Sequence, residues 1–118
     1  MASLFLDDDK NRTDQIIKKF ADIDEELVLT STAKDAIEKL SSKSSWNYVF
    51  LDHDLGGEVF VDSGREDCGM EVVRWCLINK PQIDHIIVHT WNAPAGERMT
   101  EELKTAGYDA IYKPFGMW

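Results

Sequence analysis

Five short apolar runs, at residues 4–6, 27–29, 48–51, 86–89 and 110–112, alternate with segments whose apolar residues recur at helical spacing. No other feature of the chain restricts its fold as much. Short apolar runs without polar alternation read as strands buried on both faces, and strands separated by helices pair in parallel. Ile16, Ile17 and Phe20 mark one helix, and Ala33, Ala36, Ile37 and Leu40 form the apolar stripe of a second. Thr32, three residues before Asp35, gives that second helix a capping-box-like start. Met70, Val73, Trp75 and Leu77 fall in a third helix, which stops before Pro81. Met99 and Leu103 mark a fourth, with Gly107 as its C′ residue. The order βαβαβαβαβ predicts an α/β fold: a parallel sheet covered by helices on both faces, in one domain over residues 1–118.

Composition narrows the function. Hydrophobic residues make up 43% of the chain, enough for a real core. No apolar run approaches the ~20 residues that span a bilayer, and the first residues lack a signal peptide's basic and long apolar regions. The expected location is cytoplasmic, with no membrane partner. A net charge of −9, from 22 acidic and 13 basic residues, opposes binding to nucleic acid and suits a site that attracts cations. Cys68 and Cys76 have no zinc or CxxC spacing and read as two reduced thiols with nothing nearby to activate them.

Ligands of open parallel sheets bind beyond the C-terminal ends of the strands. Here those ends carry Asp7-Asp8-Asp9, Asp52-His53-Asp54, His89-Thr90-Trp91-Asn92 and Lys113-Pro114. Carboxylates crowded on one edge repel one another unless a hard cation lies between them, which points to Mg²⁺ or Mn²⁺. Asp7, Asp8 and Asp52 are candidate ligands, with Asp9 in reserve should the register slip by one; otherwise they are a solvated acidic loop or helix N-terminus. Asp54, two residues after Asp52, would share its side of a continuing strand as a further acid or ligand; otherwise it is a turn residue. Thr90, Asn92 and Lys113 can hold phosphoryl oxygens, and phosphoryl transfer needs mainly positioning and charge neutralisation. Asn92 can equally cap the next helix, and Lys113 can be a surface lysine. His53 and His89 are candidate general acids or bases, or metal ligands, whereas His85 starts its strand at the opposite edge and reads as structural. Arg65 and Arg98 are optional substrate clamps. Trp91 can stack on a base or sugar, while Trp46, Trp75 and Phe20 read as packing residues.

These strand-end motifs resemble those of response-regulator receiver domains. The resemblance implies a three-layer, flavodoxin-like fold with strand order 2-1-3-4-5. It maps the receiver's metal-binding acidic pair to Asp7 and Asp8, its phosphoacceptor to Asp52, its hydroxyl residue to Thr90 and its Lys-Pro to Lys113 and Pro114. Three departures stand out. The sequence stops soon after Lys-Pro, so a fifth helix is expected to be missing or truncated. Residues 56–69 are long enough for a small hairpin or lid. Histidines stand at two strand ends.

These departures are similar to a narrower family, the receiver-like domains proposed to process cyclic phosphates in bacterial and phage conflict systems. The match rests on Leu4-Phe5-Leu6-Asp7-Asp8, Leu51-Asp52-His53-Asp54-Leu55-Gly56 and His89-Thr90-Trp91-Asn92-Ala93-Pro94-Ala95-Gly96. It implies a metal-dependent, phosphoryl-handling protein acting on a phosphate-containing small molecule, a cyclic or nucleotide phosphate. Asp52, His53, His89, Thr90, Asn92 and Lys113 would form its catalytic set, and Asp7, Asp8, Asp52 and Asp54 its metal set. The broader resemblance implies an alternative, a signalling receiver phosphorylated on Asp52 and read by a protein partner. A third reading is a non-catalytic interaction protein on the same scaffold.

Overall fold

The computed structural model of the chain describes residues 1–55 and 62–116. Five strands and four helices follow one another: β1 (Ala2–Leu6), α1 (Lys10–Phe20), β2 (Glu26–Thr30), α2 (Ala33–Leu40), β3 (Ser45–Leu51), α3 (Gly69–Asn79), β4 (Gln82–Val88), α4 (Ala93–Thr105) and β5 (Ala110–Tyr112). All strand pairs are parallel, in the order β2-β1-β3-β4-β5. This is the flavodoxin-like receiver fold that the strand-end motifs imply. Among the described residues no helix follows β5.

Side chains alternate between two cores, as the two-residue period of a strand requires. Leu4, Leu6, Val49, Leu51, Ile86 and Val88 pack into the larger core, with Ala36 and Leu40 of α2, Val73 and Cys76 of α3 and Met99 and Leu103 of α4. Phe5 and Phe50 face the other way, into a smaller aromatic core with Ile16 of α1 and Phe115. Trp46 is fully buried and donates its indole N–H to Leu40 O at 3.2 Å, so it adds no unpaired donor to the core. In α3 the buried face carries Met70, Val72, Val73 and Cys76, while Trp75 and Leu77 are only partly buried. Ile17 of α1 is exposed.

Helix ends follow local chemistry. Thr32 caps α2 by accepting from Asp35 N, as its spacing predicts. α3 ends on Lys80 in the left-handed region, one residue before Pro81. Gly107, with φ of +100°, follows α4. Gly69 opens α3 where no side chain fits: a Cβ there would fall 1.7 Å from Asp52 O. Its N–H donates to His53 O at 2.9 Å, tying α3 to the end of β3. Of the segment 56–69 expected to form a hairpin or lid, residues 56–61 lie outside the described residues. Residues 62–68 form turns, held by the Arg74 guanidinium on Ser63 O at 2.6 Å and Arg65 O at 2.7 Å. No helix among the described residues is long and apolar enough to cross a membrane.

Candidate functional site

The last paired row of the sheet is Leu6, Leu51, Val88 and Tyr112. The ladder continues one residue further. Asp52 N donates to Leu6 O at 3.1 Å, His89 N to Leu51 O at 2.9 Å, and Lys113 N to Val88 O at 2.9 Å. Asp7 N likewise donates to Thr30 O of β2 at 3.1 Å. Backbone bonds therefore set Asp7, Asp52, His89 and Lys113 in adjacent positions along one edge. Asp7, Asp52 and His89 are buried, and each offers a ligand atom within 4.8 Å of the other two.

Burial governs the electrostatics of this trio. Desolvation, with the charge of Asp7 close by, pushes the Asp52 carboxyl up to about 7; its bonds from His53 N–H and the Thr90 hydroxyl and the nearby Arg12 charge work the other way. Burial also opposes ionisation of Asp7. Hydrogen bonds from His89 and Arg12, and from Asp9 N at 2.8 Å, outweigh it and hold that carboxyl at about 2. Desolvation pushes the His89 imidazole below its ordinary value against the pull of Asp7. The ring lies flat on Phe5, centroids 5.0 Å apart, with Phe115 edge-on at 5.9 Å. A neutral His89 donates from Nε2 to Asp7 Oδ2 at 3.0 Å, leaving Nδ1 buried and without a partner among the described residues.

Arg12 is the site residue that the strand-end reading missed. From the first turn of α1 its Nε reaches Asp7 Oδ2 at 2.6 Å and its terminal nitrogens reach Asp7 Oδ1 at 3.0 Å, Asp9 at 3.3 Å and Asp52 at 3.6 Å. A signal existed. Lys10 and Arg12 put positive charge at a helix N-terminus, where the macrodipole disfavours it, so an acidic partner was called for. Asp9 caps α1 by accepting from Asn11 N.

The remaining candidates divide between this pocket and its surroundings. Thr90 is buried against Asp52. Asp8 is half-buried and lines a cleft of about 620 Å³ with Thr32, Lys34, Leu55, Glu66 and Asp67. Asp54 belongs to a different network, because β3 ends at Leu51 and the alternation that would align it with Asp52 stops there. Its Oδ1 lies 2.8 Å from His53 Nδ1 and accepts from Asn92 Nδ2 at 3.2 Å. His53 is fully buried, with Nε2 2.9 Å from Ser63 Oγ. Asn92 also caps α4, accepting from Ala95 N at 3.4 Å. His53, Asp54, Asn92 and Ser63 thus link the loops after β3 and β4. Lys113 is half-buried beside the end of β4. His85 stacks on Tyr48 and pairs with Asp109 at 2.8 Å, away from the pocket. Arg65 pairs with Asp67 and Arg98 with Glu102. Trp91 is exposed on the loop between β4 and α4.

The thiols differ from the sequence expectation in one respect. Burial pushes Cys76 up to about 12. Burial alone would raise Cys68 too, but the His53 imidazole and the N–H groups of Met70 and Glu71 outweigh it and hold that thiol below its ordinary value. The activating neighbour comes from fifteen positions earlier in the chain, so local spacing did not expose it.

Residues 2–105 match the family described as Cyclic-phosphate processing Receiver domain. The chain belongs to that family. In the comparison with curated proteins nothing matches. Several solved structures share the fold. A CheY-like response regulator receiver domain from Methanospirillum hungatei superposes with a TM-score of 0.72 at 20% identity, over 98% of this chain and 81% of that one. The response regulator TrrA from Thermotoga maritima, solved in complex with Mg²⁺ and BeF, gives 0.67 at 19% identity, over 98% and 88%. A response regulator from Burkholderia pseudomallei with a phosphorylated aspartic acid, a calcium ion and citrate gives 0.68 at 15% identity, over 98% and 59%.

The donor set of this cyclic-phosphate processing receiver domain fits a divalent cation. Two buried carboxylates supply hard oxygen donors, and the His89 imidazole stands beside them with its Nε2 3.0 Å from Asp7 Oδ2.

Proposed function

We propose that this domain is a metal-dependent phosphoryl-handling protein that processes a cyclic or nucleotide phosphate. The observation that carries the reading is the convergence of Asp7, Asp52 and His89, all buried, at the C-terminal edge of the sheet. A divalent cation, Mn²⁺ or Mg²⁺, held by these three would supply charge neutralisation and polarisation of the phosphoryl group. Thr90, buried against Asp52, and the half-buried Lys113 would hold phosphoryl oxygens. His89, neutral in its aromatic slot, would serve as ligand or proton acceptor. His53 would position the loop after β3 through Ser63 and Asp54, and Asn92 would tie that loop to α4. The cleft beside Asp8 has the size of a small-molecule site and would take the remainder of the substrate. The test is purified protein with Mn²⁺ or Mg²⁺ against a panel of cyclic and linear nucleotides, followed by ³¹P NMR. A cyclic phosphate resonance converted to a monoester by wild type, and not by Asp52→Asn, is the expected result. No turnover across the panel would sink the enzymatic reading.

A second reading has its own support. Asp52 directly follows β3 with the Thr90 hydroxyl against it and Lys113 in the same row, and two fold relatives carry a phosphorylated aspartate or Mg²⁺ with BeF. Asp52 would then accept a phosphoryl group and a protein partner would read the change. Intact mass after acetyl phosphate and Mg²⁺ separates the two: an adduct lost in Asp52→Ala favours signalling, and its absence favours processing.

A further inference from the structure

We propose that Arg12 is the resident cation of the acidic pocket, and that a divalent ion enters by displacing its guanidinium from Asp7 and Asp52. The inference rests on the metal reading of that pocket. Arg12 grips both oxygens of Asp7, at 2.6 and 3.0 Å, in the two-pronged geometry that makes Arg–carboxylate pairs strong. Asp7 Oδ2 is also 3.0 Å from His89 Nε2, so both Asp7 oxygens are engaged. A terminal nitrogen of Arg12 stands 3.6 Å from Asp52 Oδ2, the other carboxylate of the cluster. A metal drawing on Asp7 and Asp52 together would have to occupy the space where the guanidinium now balances them.

Arg12 cannot yield by losing its proton, because guanidinium stays charged in proteins. It has to move, and it has somewhere to go. Its side chain is 28% exposed, and it already touches Asp9 at 3.3 Å, whose side chain is 37% exposed. Asp9 caps α1 outside the buried trio, so a swing toward it keeps one ion pair while freeing Asp7 and Asp52. Nothing in the helix holds Arg12 inward: at the third position of α1 its charge opposes the macrodipole. Among the described residues its partners are the acids Asp7, Asp9 and Asp52, and a better cation would release it. Arg12 therefore raises the metal concentration at which the site fills, and on release stays paired with Asp9 at the mouth of the pocket.

The test reads metal binding, with Mn²⁺ alone as probe. Free Mn²⁺ is followed by EPR as it is added to wild type, Arg12→Gln and Arg12→Lys at one pH and low salt, with circular dichroism checking the fold. Arg12→Gln is expected to bind Mn²⁺ about tenfold more tightly, and Arg12→Lys, which keeps the charge without the fork, to fall between. In wild-type protein the Arg12 Nε–H resonance should shift or broaden as Mg²⁺ is added, which holds even should the variants fold poorly. Mn²⁺ binding that is no tighter in Arg12→Gln, with an Arg12 resonance indifferent to Mg²⁺, overturns the inference and leaves the metal reading standing. No Mn²⁺ binding by any of the three proteins overturns both.

Discussion

Replacing Gly69 with alanine adds one methyl group where α3 presses on the end of β3. That Cβ would fall 1.7 Å from Asp52 O, 2.8 Å from Asp52 C and 2.9 Å from His53 Cα. All three are backbone atoms, so no side-chain rotation makes room. A relaxed C···O contact is about 3.3–3.6 Å, so the helix start and the Asp52–His53 peptide must separate by about 1.5 Å or more. The bond from Gly69 N to His53 O, now 2.9 Å, does not survive that separation. Overpacking and the lost bond together outweigh alanine's better helix propensity, for a net loss of about 2–3 kcal/mol. In a domain of this size the melting temperature should fall by about 8–12 °C. Urea denaturation of metal-free protein measures the loss, and Mn²⁺ titration should show weaker binding, since the displaced peptide carries Asp52. Gly64→Ala is the control. Among the described residues its Cβ meets only Asp62 Oδ1, at 3.5 Å, so the change should stay within about 0.5 kcal/mol. A Gly69→Ala protein as stable as that control, with unaltered Mn²⁺ affinity, would refute the close-packed reading of the site.

Other perturbations address the electrostatics. Asp52 titrates at about 7 in the folded protein against 3.8 ordinarily, so unfolding releases a proton between those values and stability falls as pH rises through that window. Asp52→Asn should flatten this slope in metal-free protein and be the more stable by over about 1 kcal/mol at pH 8, measured by urea melts; equal stability there would contradict the buried charge. Asp7, held at about 2, acts oppositely: its contribution is present above 3.8 and lost as pH falls toward 2, so Asp7→Asn should blunt the acid limb of the denaturation profile. Thr90→Val removes a hydroxyl that favours ionised Asp52 and should move the Asp52 carboxyl further up in ¹³C NMR titrations; a downward move would mean that the hydroxyl points elsewhere.

Legibility in the sequence followed from how far each residue's position depends on regular structure. Asp7, Asp52, His89 and Lys113 were readable because parallel strands bring their C-terminal ends to one edge whatever the loops do. The strand runs, the Thr32 cap and Gly107 were readable for the same reason, since each obeys a local period or a cap rule. Asp54 was placed by strand alternation, and the chain leaves strand geometry at Leu51. Arg12 reaches the site from the first turn of α1, and the placement of that turn over the sheet edge is something no period encodes. The link from His53 to Ser63 and the hold of Arg74 on the turn at residues 62–68 depend on loop conformation, and loops carry no hydrophobic repeat.

The aromatic core explains why this edge needs a cation. Phe5 and Phe50 alternate out of the larger core because their neighbours face into it, and Phe115 folds back over the sheet with its N–H on His89 O at 2.9 Å. His89 is thereby enclosed between Phe5 and Phe115, and the enclosure disfavours its charged form. A neutral imidazole can donate to Asp7 or coordinate a metal, but it cannot balance a carboxylate's charge. The negative charge of Asp7, and of Asp52 once it ionises, must be met from beyond the aromatic slot. Arg12 does this from α1; the same imbalance is what a divalent ion would relieve. Filling the Phe115 position with a small residue should therefore admit water to His89, raise its pKa and weaken the demand for a cation. Phe115→Ala, followed by ¹H–¹⁵N NMR of the imidazole against pH, should show His89 titrating nearer its ordinary value; an unchanged titration would place the cause of its low pKa elsewhere than in the aromatic packing.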